Sequence, residues 1–206
     1  MFRGEPRTSD HLWRVADYED WQRFMAHDAK NPSRHVGYQL ILDYLHIHAE
    51  RQPLSFAEVG IGNARDFAKC FKRLHDVGAI RYQGFDGSPD LVRFAHLTYP
   101  AYSFTQTDIC DLKRHGLFDL IYARHVFEHA SPETYRDWLT AFLQATQEFA
   151  LISWFLAPQA DAHFDYPGAW NNTYCRATVI ALIESRGFSV QVRELTASDH
   201  IYELRR

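Results

Sequence analysis

LSFAEVGIGNARDF, residues 54–67, begins as a short apolar run and ends in a glycine-punctuated turn. Leu54, Phe56, Ala57 and Val59 suit a parallel strand buried on both faces. Gly60 and Gly62 let the backbone bend sharply and come close to a ligand. Asn63 to Leu74 then reads as a helix with Ala64, Phe67, Ala68, Phe71 and Leu74 on its apolar side. Strand, glycine turn and helix is the layout of a nucleotide site, because a helix N-terminus presents free N–H groups and a partial positive charge. Glu58, near the strand end, is costly to bury without a partner and completes the pattern E-x-G-x-G.

Downstream of this stretch, strand and helix alternate. A second strand is expected over Ala79–Phe85, ending at Asp86, and Ser88-Pro89 then supplies an N-cap and a first helical residue. A third strand covers Ala101–Thr107 and ends at Asp108. A fourth covers Phe118–Ala123. Ser131-Pro132 repeats the cap signal for a helix to about Gln147, and Phe149–Phe155 is a fifth strand. A polar and aromatic loop follows, Leu156–Trp170, then a helix from about Asn172 to Arg186 closed by Gly187. Phe188–Leu195 and His200–Leu204 read as a final antiparallel pair on the sheet edge. Upstream, Asp17–Ala29 reads as a short helix and a longer one runs from the Asn31-Pro32-Ser33 break to about Arg51. The alternation implies a mostly parallel sheet with helices on both faces and a ligand beyond the carboxyl ends of its strands. Glu58, Asp86 and Asp108 all fall at or near such ends.

The 206 residues suffice for one sizeable domain with a small cap. A net charge of −4 without a basic block speaks against nucleic acid as a partner. Cys70, Cys110 and Cys175 form no C-x-x-C pair, so neither a zinc knuckle nor a disulfide framework is indicated. The first residues lack an apolar signal core and no stretch is long enough to cross a membrane, so a cytoplasmic, reduced protein is expected.

Two cofactors compete for such a layout. A dinucleotide site wants G-x-G-x-x-G, and here the third position is Arg65. No Tyr-x-x-x-Lys pair is present either. The alternative is S-adenosylmethionine. AEVGIGNARDF, GFDGSPDLVRFA, TDICDL and FDLIYARHVFEHA resemble, in order and spacing, four motifs of the small class I S-adenosylmethionine-dependent methyltransferases of type 11 or 12. The resemblance covers about Leu54–Phe155 and departs at Ala64, where that family usually has a third glycine. It implies a Rossmann-like, doubly wound seven-stranded α/β fold with a C-terminal antiparallel strand. Residues 54–206 would form the cofactor-binding domain and residues 1–53 an N-terminal helical extension or lid.

Carried over residue by residue, the resemblance puts Glu58, Gly60 and Gly62 at the methionine and ribose end, with Asn63 among the cofactor-binding residues. It gives Asp86 the ribose hydroxyls, with Gly87 and Ser88 nearby. Asp108 and the Ile109 backbone hold the adenine amine, and Arg124 lies along the methionine part. A carboxylate can accept two hydroxyl donors without changing protonation, which suits Asp86. For Asp86 and Asp108 a capping role is the competing reading.

His125-Val126-Phe127-Glu128-His129 matches H-x-x-E-H, a zinc pattern that needs both histidines on one helix face. His125 directly follows a strand, so no metal is assigned. His129 reads as an ordered histidine of the site wall, and His125, His163 and Tyr166 are the candidate bases. The function implied is methyl transfer to an O, N or C nucleophile of a small molecule or sugar. A non-catalytic cofactor-binding module of the same fold and an NAD(P)-binding oxidoreductase are the alternatives. A homodimer stays open.

Overall fold

The central strand β1 (Leu54–Val59) is buried at every position except the half-buried Ser55. The structure is a computed structural model that describes residues 32–157, 162–166, 169–195 and 200–206, with the backbone alone for 32–35, 162–166 and 169–171. β1 pairs in parallel with β2 (Ile80–Asp86) on one side and β4 (Phe118–Arg124) on the other. β3 (Phe104–Gln106) extends the sheet beyond β2, and β5 (Thr146–Trp154) lies beyond β4. β10 (His200–Arg205) is inserted antiparallel between β5 and β9 (Ser189–Glu194), giving the order β3-β2-β1-β4-β5-β10-β9.

Side chains alternate across this sheet, as the strand period requires. Phe56, Leu120, Tyr122, Phe149 and Leu151 face one core with α1 (Pro32–Ile47) and α3 (Pro89–Thr98). Ala57, Ile121, Ala123, Ala150 and Ile152 face the other with α4 (Tyr135–Ala145) and α5 (Arg176–Glu184). Both faces are therefore covered, which is why β1, β4 and β5 read as continuous apolar runs.

Five local expectations differ from the structure. The helix after the glycine turn contains a π turn, Phe67–Phe71, ahead of α2 (Lys72–Asp76). The extra residue per turn rotates the face, so Cys70 is buried and Ala68 exposed. β3 is shorter than the apolar pattern suggested. Ser131 and Thr134 bond each other through their hydroxyls at 3.0 Å in a turn that delays the next helix to Tyr135. The stretch expected as a loop holds β6 (Leu156–Ala157), β7 (Ala162–Tyr166) and β8 (Ala169–Cys175), a separate sheet of order β6-β8-β7. β8 takes the residues expected to open the last helix, because Asn172 Nδ2 and Tyr174 Oη both donate to Ala130 O, at 2.8 and 2.5 Å. The expected helix over Asp17–Ala29 lies outside the described residues. Among the described residues no helix is long and apolar enough to cross a membrane.

Candidate functional site

The carboxyl ends of β1, β2 and β4 open into a cleft with about 700 Å³ of empty space, continuous with solvent. Gly60 and Gly62 form its floor in left-handed backbone, with φ of 72° and 51°. A Cβ on Gly60 would come within 2.4 Å of Val126 Cγ2, so that position admits no side chain. The Gly62 N–H donates to Asp86 Oδ2 and the Ser88 N–H to Asp86 Oδ1, each at 2.9 Å. The carboxylate at the end of β2 thus ties the glycine turn to the head of α3 while lining the cleft. Burial pushes its pKa up to about 6, against the pull of the backbone donors from Ser88, Gly62 and Gly87. Ser88 is fully buried and caps α3, its hydroxyl accepting from Leu91 N at 3.4 Å.

Gly87, Asp108 and Ile109 also line the cleft. Asp108 caps the short 3₁₀ turn Ile109–His115, accepting from Cys110 N at 3.0 Å, so the capping reading holds for it alongside its place on the wall. Asn63 sits half-buried in the glycine turn and off the wall.

Glu58 and Arg124 lie beneath the glycine turn, not on the cleft wall. Tyr82 Oη donates to Glu58 Oε2 at 2.5 Å. Burial, then the charge of Asp66, drives the Glu58 carboxyl well above the usual range. Arg124 Nε donates to Asp66 Oδ2 at 2.6 Å, and Tyr122 Oη reaches the same oxygen at 3.3 Å. The side chains of Arg124 and Asp66 are 7% and 6% exposed, so the pair is an interior one. Asp66 was missed in the sequence because it sits within a helical segment among apolar residues and its partner is 58 residues away.

The cleft has an apolar side made by Leu91, Leu112 and Val126, which lie within the four motifs, and Trp138, which lies outside them. Packing of the 3₁₀ turn against α4 brings Leu112 and Trp138 together on that side. His125 and His129 complete the wall. His125 has left-handed backbone, φ 53°, and its N–H donates to Ser153 O at 3.0 Å. Its ring stacks on Phe155 with centroids 4.6 Å apart. Nδ1 lies 3.0 Å from Glu128 Oε1 and Nε2 lies 3.5 Å from Ser153 Oγ. Burial raises the Glu128 carboxyl, but the charge and hydrogen bond of His125, aided by His129, outweigh it and hold the group below the usual range. Phe127–His129 is a single 3₁₀ turn, not the helix that a zinc pair requires, and no metal-holding cluster of His, Cys, Asp or Glu occurs among the described residues. The backbone of His163 and Tyr166 lies in β7, and their side chains fall outside the described residues.

Neither a family model nor a curated protein matches the chain. Solved structures do. Magnesium protoporphyrin IX methyltransferase from Synechocystis PCC 6803, solved with bound S-adenosylmethionine, superposes with a TM-score of 0.72 at 15% identity, covering 98% of this chain and 99% of that one. The fold is that of the S-adenosylmethionine-dependent methyltransferases. The sugar N-methyltransferase KedS8 from Streptoalloteichus sp ATCC 53650 gives a TM-score of 0.68 at 11% identity over 100% of this chain and 96% of its own. The [4+2]-cyclase SpnF gives 0.59 at 12% identity over 80% of each chain. Identities this low speak for fold, and the antiparallel β10 sets this methyltransferase-like sheet apart from the all-parallel dinucleotide order.

Proposed function

We propose that the chain binds S-adenosylmethionine in this cleft and transfers its methyl group to an O, N or C nucleophile of a small molecule or sugar. The observation that carries the reading is Asp86, held by two backbone N–H groups at the end of β2 with its carboxylate on the cleft wall. Both oxygens retain acceptor capacity for paired hydroxyl donors. The residues present fit the cofactor. Gly60 leaves backbone bare at the turn, Asp86 would take the ribose, and Asp108 with Ile109 the adenine amine. Glu58, Asn63 and Ser88 support these groups from behind, and the Asp66–Arg124 pair stiffens the turn.

When bound, the sulfonium supplies an electrophilic methyl carbon. The protein then has to align an acceptor and keep water out, and alignment alone is worth on the order of 7–11 kcal/mol. The small sheet β6-β8-β7 is fastened to Ala130, at the end of the His125–His129 turn. We place the acceptor between that sheet and the turn. His125, His163 and Tyr166 are the side chains from which a base is drawn.

SpnF, named as a cyclase, favours keeping one second reading: a cofactor-binding chain of this fold that does not transfer methyl. Calorimetry with S-adenosylhomocysteine, with NAD as control and Asp86→Ala alongside, tests the cofactor. Micromolar binding that Asp86→Ala weakens at least about tenfold is expected. Binding of NAD in its place would move the chain to the oxidoreductases.

A further inference from the structure

We propose that Glu128 is a positioning residue that fixes His125 as the base toward a hydroxyl acceptor, a reading that rests on methyl transfer in this cleft. His125 is held from four directions. Its backbone is in the left-handed region, its N–H is bound by Ser153 O, its ring lies against Phe155, and Nδ1 sits 3.0 Å from Glu128 Oε1. A non-glycine residue is strained in that backbone conformation, and such strain persists where surrounding contacts over-determine it.

Glu128 is 1% exposed, and among the described residues its second oxygen, Oε2, has no hydrogen-bond partner. An ionised carboxylate only accepts hydrogen bonds. The proton of a neutral His125 must therefore reside on Nδ1, the tautomer that a histidine side chain free in water disfavours. The lone pair is then on Nε2, the nitrogen 3.5 Å from Ser153 Oγ, on a residue that lines the cleft.

A base is needed where the acceptor carries a proton that must leave as it attacks, which is the case for a hydroxyl and not for a free amine. The acceptor oxygen donates a lone pair to form the O–C bond to the methyl carbon. The C–S bond breaks with its electron pair passing to sulfur. The hydroxyl proton passes to Nε2 and later to solvent. The imidazolium formed in this step lies against Glu128, whose buried charge is better compensated then than before. Stabilisation that grows toward the transition state is the kind that raises turnover.

Long-range ¹H–¹⁵N spectra of histidine-labelled protein at pH 8, free and saturated with S-adenosylhomocysteine, test this directly, with His125→Asn to assign the signal. The wild type is expected to show Nδ1–H with a pyridine-like Nε2. Glu128→Leu, which removes the acceptor at Nδ1, is expected to shift the ring to Nε2–H while changing S-adenosylhomocysteine affinity by less than about threefold. Glu128→Asp is expected to keep Nδ1–H. A wild-type His125 protonated on Nε2 alone, or on both nitrogens, would overturn the proposal, and that spectrum needs no variant to fold. An unchanged tautomer in folded Glu128→Leu would overturn it too. Failure of the wild type to bind S-adenosylhomocysteine would instead strike the methyl-transfer reading, with the tautomer still readable in the free protein.

Discussion

Asp86 is one residue through which pH reaches the cleft. Its folded value of about 6 lies above the ordinary 3.8, so the folded chain takes up a proton that the unfolded chain does not. Its contribution to stability is full below about pH 4 and is lost as the pH rises through 6. Ligand binding has the opposite sign, since only the ionised carboxylate accepts both hydroxyl donors. S-adenosylhomocysteine affinity, followed by calorimetry, is expected to be flat from pH 8 to about 6.5 and to fall toward about tenfold per unit below that. Asp86→Asn is expected to bind weakly with no such slope. Ala64 illustrates a different residue-scale balance. It is fully buried with φ of 55°, where the methyltransferase pattern has glycine. Left-handed backbone costs a non-glycine residue about 1–2 kcal/mol. Ala64→Gly relieves that strain but loses a buried methyl and adds chain entropy, about 0.8 and 0.5–1 kcal/mol. We expect a net change within about 1 kcal/mol. Ala123→Gly, equally buried in an ordinary strand, should cost visibly more in a denaturant titration.

The glycine turn and its helix work as one element because a charged pair sits beneath them. Asp66 in the helical segment and Arg124 at the end of β4 meet at 2.6 Å in a dry setting where Glu58 is already pushed toward its neutral form. Removing one partner from such a pair leaves a buried, uncompensated charge and costs about 3–5 kcal/mol. Arg124→Met is expected to lose that much in chemical denaturation, and Arg124→Met with Asp66→Asn to recover part of it. The same logic explains why Arg124, a residue that the family pattern sets along the cofactor, is turned inward here. Its guanidinium answers the nearest buried carboxylate first.

For the whole molecule, α1 is part of the main core. Leu40, Ile41 and Leu45 are each no more than 8% exposed, and Tyr44 stacks on Phe149 of β5 at 4.4 Å. Arg51 reaches Glu148 and Asp119, tying the segment before β1 to β4 and the head of β5. Burying the three aliphatic side chains is worth about 1.5–3 kcal/mol each, a large share of the 5–15 kcal/mol by which domains are stable. A chain starting at residue 54 is therefore expected to lack a cooperative thermal transition by circular dichroism. A sharp melt for that fragment would show that residues 54–206 fold alone and that the preceding segment is a separable extension.

Much of this was legible in the chain itself. The apolar runs of β1, β4 and β5 and the punctuation of Gly60, Gly62 and Ser88-Pro89 are local signals. They specify the alternating fold and three acidic strand ends, because strand period, left-handed turns and helix caps depend on near neighbours. The π turn at Phe67–Phe71 and the small sheet were not legible. Each is selected by contacts with residues far along the chain, as when Ala130 O captures Asn172 and Tyr174 and pulls an expected helix start into β8. The same holds inside the site. The sequence alone determined that Glu58, Asp86 and Asp108 would stand at strand ends, since register follows from the local pattern. Tertiary structure decided that Asp86 and Asp108 face the cleft while Glu58 and Arg124 lie beneath it. It also decided that His125 is gripped by Glu128, because burial and pairing depend on the surroundings that the folded chain builds around each charge.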